Sequence, residues 1–183
     1  ESYTYWTLGH VLSTGLHDPT SESPLKFESI ESFSTFYRSV LKRVSNSLYE
    51  QAICDRYLNY LGRSDNPLDE PLLIPEFRYA GKEKHHEFRL DFTVLNGYTF
   101  DFTGFELSPS STHIRVQKAA GKTQTQLNEE LAKAWEHEVQ KRNANFQTYG
   151  INVVTFADRA LKDIDACFAH IEACLRARTA MLP

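Results

Sequence analysis

The segment from Glu87 to Leu95 places Phe88, Leu90, Phe92 and Val94 in strict alternation with Glu87, Arg89, Asp91 and Thr93. That two-residue period predicts a β-strand with an apolar and a polar face, and it sets the frame for its neighbours. Asn96-Gly97 follows at once and predicts a two-residue hairpin turn, because both central positions of such a turn need positive φ. The next strand is expected over about Tyr98–Leu107. The preceding one spans about Leu72–Tyr79, with Pro75 marking it as an edge. Residues 108–122, rich in Ser, Thr, Lys and Gly, read as a loop. A long helix is expected from about Thr125 to Asn143 on Leu127, Leu131, Trp135 and Val139. Ile151–Phe156 is a short continuous apolar run, the pattern of a buried strand.

Upstream, Ile30, Phe33, Tyr37, Val40, Leu41 and Val44 share one face of a helix over about 29–44. A second helix is expected from Ser47 to Gly62, opened by the capping-box pattern Ser47-Leu48-Tyr49-Glu50 and closed at the glycine. Residues 1–26 read as a mostly irregular arm, with Tyr3, Tyr5 and Trp6 as docking aromatics. Asp158 is expected to cap a last helix carried by Leu161, Ile164, Phe168, Ile171 and Leu175. The predicted order is α-α-β-β-β-α-β-α: a mixed α/β (α+β) fold whose antiparallel meander is joined by a helical crossover to a fourth, parallel strand. The expected division is an N-terminal arm and helix over 1–45 and a main domain over 46–183.

At 183 residues, with 41% hydrophobic and 24% charged residues, the chain can bury a core and is not disordered throughout. A net charge of −4 argues against coating nucleic acid by bulk charge but allows a local basic groove. Cys54, Cys167 and Cys174 lack zinc-type spacing and read as small buried thiols. Their odd number and the lack of a secretion signal fit a reducing cytoplasm. No apolar run is long enough to span a membrane. The start at Glu1 suggests a piece of a longer protein. Gly121-Lys122-Thr123 lacks the upstream glycine of a phosphate loop, and there is no His-Glu-x-x-His and no nucleophile elbow.

Two carboxylates stand out. Asp91 lies on the second strand and Glu106 near the end of the third, in Gly104-Phe105-Glu106-Leu107-Ser108. Adjacent strands let them converge, and acids following apolar stretches are costly unless partnered. A divalent cation is one partner; Arg89 or a lysine is the plainer one. From Leu107 to Asn128 there is no acid, whereas His113, Arg115, Lys118 and Lys122 are present, a local positive stretch suited to a phosphate backbone. Lys82, Lys84, His85, His86 and Arg89 form a second basic run.

A helix carrying an acid, then a meander with Asp on its second strand and Glu on its third, then helix and strand, resembles the PD-(D/E)XK nuclease superfamily. The resemblance spans about residues 46–157 and rests on Ser47-Leu48-Tyr49-Glu50-Gln51, Arg89-Leu90-Asp91-Phe92 and Phe105-Glu106-Leu107-Ser108. It implies a restriction-endonuclease-like αβββαβ core with an extra N-terminal helix and a C-terminal helix. It further implies a Mg²⁺ (or Mn²⁺)-dependent endonuclease whose metal is held by Glu50, Asp91, Glu106 and the backbone of Leu107, with Glu76 a weaker substitute for Glu50. The chain departs from the family where Ser108 replaces the lysine of Glu-x-Lys. Lys118 and Lys122 are then the candidates for the missing catalytic cation, with His113 a third, and Gln124 or Gln126 could orient a water instead. Arg89, His113, Arg115, Lys118 and Lys122 are the expected nucleic-acid contacts.

The expected partners are nucleic acid, DNA first, further domains or subunits of a bacterial defence or mobile-element system, and a second copy of the chain. The alternative is a catalytically inactive nuclease-fold module for nucleic-acid binding or protein assembly. A third reading, an unrelated small-molecule-binding α+β domain, requires a closed apolar pocket and no convergence of acids with basic loop residues.

Overall fold

The computed structural model describes residues 4–17, 22–44, 47–77, 88–108 and 123–178. Helix α1 is Leu8–Thr14. Helix α2 starts at Ile30–Phe36, passes through a π-helical stretch, Tyr37–Leu41, and ends in Lys42–Val44. Helix α3 is Leu48–Arg63. Strands β1 (Leu73–Phe77), β2 (Leu90–Leu95) and β3 (Phe102–Leu107) follow. Then come α4 (Gln124–Gln147), β4 (Ile151–Phe156), the short α5 (Asp158–Leu161) and α6 (Ile164–Arg176). The sheet order is β1-β2-β3-β4, antiparallel across the meander and parallel between β3 and β4. No helix among the described residues is long and apolar enough to cross a membrane.

Helices lie on both faces of the sheet. On one, Ile53, Tyr57 and Leu61 of α3 and Phe168, Ile171 and Leu175 of α6 meet Phe92, Val94, Phe105 and Leu107 in the main core. That same cluster takes in Leu8, Val11, Phe27, Phe33 and Tyr37 from the first 45 residues. On the other face Phe146 of α4 packs with Leu90 and Ile151. Leu90 and Phe92 therefore belong to different clusters, although simple alternation puts them on one face. The period breaks at Asp91.

Several sequence expectations need correction. The N-terminal segment is not all irregular: Thr7 caps α1 by accepting the His10 N–H at 3.3 Å, Leu8 and Val11 are buried, and Gly15 ends the helix at φ 83°. Gly62 lies inside α3, which runs on to Arg63, with Ser64 as its C-cap. Ser47 Oγ accepts the Tyr49 N–H at 3.2 Å at the start of α3. Asp158 does not cap the last helix. The helix ends at Leu161, and Asp163 caps α6 by accepting the Ala166 N–H at 3.0 Å. Pro75 does lie on an edge strand, but β4 is less covered than its apolar run suggests: it is the last strand in the order, with Val154 exposed.

The two-residue turn at Asn96-Gly97 is also not formed. Leu95 pairs with Phe102, so six residues connect the strands. The reason is the buried Asn96 side chain. Its Oδ1 accepts the Tyr98 N–H at 2.9 Å, and its Nδ2 donates to Cys174 O and Ala177 O, both at 2.9 Å, at the end of α6. Positive φ falls on Phe100 at 58° instead. Gly97 answers a different need, since a Cβ there would lie 2.6 Å from the Tyr5 carbonyl oxygen. Asn96→Ala is expected to destabilise the protein by about 2 kcal/mol, because it removes three hydrogen bonds of a buried amide that ties the β2–β3 connection to the end of α6. A lowered urea midpoint at unchanged slope is the check.

The three cysteines are free. Burial pushes the Cys54 thiol up to about 12, so it is an inert core group, as the sequence suggests.

Candidate metal centre

Four acids from four elements approach one another. Glu50 is on the first turn of α3, Glu76 on β1, Asp91 on β2 and Glu106 on β3. The register pairs Pro75 with Phe92 and Phe77 with Leu90, which sets Glu76 across from Asp91. Glu76 sits at φ 52°, a left-handed backbone that costs a non-glycine residue on the order of 1–3 kcal/mol. One oxygen from each of Glu50, Glu76 and Asp91 falls within 4.8 Å of the others. Glu50 and Asp91 are buried and Glu76 is half-buried.

Asp91 is fixed by the backbone of the third strand: the Leu107 N–H donates to its Oδ2 at 2.7 Å. Leu107 thus serves the cluster through its amide. Glu106 is turned toward α4, where Arg142 Nη1 lies 3.0 Å from its Oε1. Arg142 Nη2 also donates to Thr155 Oγ1 at 2.9 Å. Glu106 Oε2 is buried and has no hydrogen-bond partner among the described residues. Arg89 pairs with Glu76 at 2.7 Å. With all four acids ionised, the two guanidiniums leave a formal charge of −2, the charge a divalent cation would cancel.

The set is all oxygen and carboxylate-rich, the donor chemistry of Mg²⁺ or Mn²⁺ rather than of a thiolate- or imidazole-preferring metal. The orphaned Glu106 oxygen beside the triad fits the same cation. The compact triad differs from the expected set, however. Glu76, the weaker candidate in the sequence, is in it, whereas Glu106 stands at its edge on Arg142.

Burial pushes the Glu106 carboxyl up to about 7, and the Asp91 carboxylate adds to this; the Arg142 and Arg89 guanidiniums pull the other way without winning. A carboxyl with a raised pKa favours the folded state while protonated. Its contribution is fully present below the ordinary value of 4.5 and is lost as the pH rises through about 7. Metal-free protein in EDTA is therefore expected to melt lower at pH 8 than at pH 5.5. Glu106→Gln should remove a share of that difference worth on the order of a few kcal/mol. Melting curves of both proteins across this range check it.

Comparison with protein-family models, curated proteins and solved structures found no match.

The remaining candidates separate clearly. His113, Arg115, Lys118 and Lys122 lie outside the described residues, as do Lys82, Lys84, His85 and His86. Gln126 caps α4, its Oε1 accepting the Thr123 N–H at 3.0 Å; the Gln124 side chain is outside the description. Ser108 is buried, accepts the Trp135 Nε1–H at 3.4 Å and donates its N–H to Phe156 O at 2.9 Å. Arg142 was missed in the sequence, although a signal exists: it falls at helical spacing among Trp135, Val139 and Phe146, the residues of α4 that turn inward.

Elsewhere, a cleft of about 650 Å³ beside α3 and α6 is bordered by Arg56, Asn59, Arg63, Asp165 and Glu172. It is not the closed apolar pocket that the small-molecule reading requires.

Proposed function

We propose that this chain is a metal-dependent nuclease domain of the restriction-endonuclease-like type, hydrolysing phosphodiester bonds of DNA as a module of a larger bacterial defence or mobile-element system. The observation that carries the reading is the convergence of Glu50, Glu76 and Asp91 within 4.8 Å, with Glu106 alongside. Four mutually repelling acids on four elements are costly to assemble without a cation.

On this reading Glu50, Glu76 and Asp91 hold Mg²⁺ or Mn²⁺, with Glu106 contributing from the third strand. When bound, the ion supplies positive charge that polarises the phosphate and makes water more acidic. The chain's own groups do the positioning. The Leu107 amide holds Asp91 in place, Arg142, itself bonded to Thr155, holds Glu106, and Arg89 pairs with Glu76. The positive segment with His113, Arg115, Lys118 and Lys122 supplies phosphate contacts, and Lys118 or Lys122 supplies the charge that Ser108 lacks.

Ser108 favours a second reading, a nuclease-fold module that binds without cleaving. A neutral, buried side chain bonded to Trp135 stabilises no charge on a phosphate. One experiment separates the two. Supercoiled plasmid is incubated with the protein in Mg²⁺, in Mn²⁺ and in EDTA, beside Asp91→Ala and Glu106→Ala. Metal-dependent nicking lost in both variants supports the nuclease. Absence of nicking together with retained plasmid binding supports the binding module.

A further inference from the structure

Two cations accompany the acid cluster, and they are held differently. Arg142 is tied at two points, to Glu106 and to Thr155, and its side chain is 11% exposed. Arg89 is tied to Glu76 at 2.7 Å, and its side chain is 48% exposed against 16% for Glu76. Arg142 is built in, whereas Arg89 reaches solvent. Glu76 is also a member of the triad whose oxygens lie within 4.8 Å of each other. An ion seated there competes with the Arg89 guanidinium for the same carboxylate. A second observation points to a ligand at this place: Glu106, a residue 92% buried, keeps its Oε2 without a hydrogen-bond partner among the described residues.

We propose that Arg89 is an exchangeable counterion: it neutralises Glu76 while the site is empty of metal, and it moves to a substrate phosphate when a divalent cation takes Glu76. The proposal rests on the metal-dependent reading above. The guanidinium end of the pair is open to solvent, so water and a phosphate can take up Arg89 when it leaves Glu76. A guanidinium forks onto a phosphate as readily as onto a carboxylate, so the same group serves both states without leaving the mouth of the site. The arrangement also orders the events, since Arg89 becomes available to phosphate only after the ion has replaced it.

The test measures Mn²⁺ affinity by calorimetry for the wild-type protein and for Arg89→Gln, with Arg89→Lys as a charge-retaining control. Removing a competing cation should tighten Mn²⁺ binding by about three- to tenfold in Arg89→Gln and leave Arg89→Lys near wild type. If Arg89 only braces Glu76, the Gln variant binds Mn²⁺ more weakly or unchanged, and the proposal is overturned while the metal site stands. Wild-type protein that binds no Mn²⁺ overturns the metal reading itself. The second readout is affinity for a short phosphorothioate-backbone duplex, which slows turnover. Mn²⁺ should increase wild-type affinity more than that of Arg89→Gln. It should also steepen the wild-type salt dependence by about one phosphate contact relative to the variant. Equal gains in both proteins would overturn the phosphate half of the exchange.

Discussion

Asp91→Asn is expected to reduce metal-dependent cleavage by about 10³-fold or more while leaving the metal-free protein as stable as the wild type or more so. The two effects part because the carboxylate has two separable jobs. Its Oδ2 accepts the Leu107 N–H, and an asparagine carbonyl oxygen can accept that bond equally well. Its charge, in contrast, repels Glu106 and adds to the raised Glu106 pKa. Removing the charge relieves that repulsion in the empty site. It also removes a ligand worth several kcal/mol of charge stabilisation where the ion would sit, and each 1.36 kcal/mol is tenfold in rate. Initial cleavage rates in Mg²⁺ and melting curves in EDTA read the two effects separately. A variant that loses stability as well as activity would mark Asp91 as a structural residue, and the nuclease reading would lose its main support.

Phe33→Ala should have the largest effect on stability. Phe33 is fully buried, with its ring 5.5 Å from Phe27 edge-on and 5.8 Å from Tyr37. Tyr37 in turn lies 5.2 Å from Tyr57 of α3, and its hydroxyl donates to Leu73 O of β1 at 2.9 Å. Truncating the ring removes the second member of this series and leaves a cavity beside a buried tyrosine, a loss of about 3–5 kcal/mol. For a chain of this length that is on the order of 10 °C in melting temperature. The form of the transition carries as much information as its position. One cooperative transition shifted as a whole means that residues 1–45 and 46–183 fold together. An early transition that leaves the rest intact means that the first part is an appendage.

The residues that make each strand and helix are mostly legible in the sequence because they follow local periods. The meander and the long crossover helix follow from those periods, the edge position of β1 from Pro75, and the parallel fourth strand from the helical crossover. What the sequence hid is tertiary. Asn96-Gly97 carries the local signal of a tight turn, yet Asn96 is spent on two carbonyls at residues 174 and 177, a competition no local window contains. The approach of Glu76 to Asp91 and Glu50 depends on strand register and on an unusual backbone angle. The alternation in β2 pointed to one apolar face, but Leu90 and Phe92 divide between two clusters, and the break falls on the candidate metal ligand. Arg142 could have been found as a charge on the inward stripe of α4, but its partner could not.

The four acids are drawn from residues 50, 76, 91 and 106, and the guanidinium beside the last comes from residue 142 by way of a crossover. Synthesis proceeds from the N-terminus, so all four carboxylates are made before Arg142 and before the strand that carries Thr155. Until then the third strand lacks its parallel neighbour, and Glu106 has only repulsion to bring to the site. Closing the site is thus among the late, long-range steps of folding. A nascent or truncated chain ending before the crossover therefore carries every acid of the candidate centre without the guanidinium that holds Glu106 in place.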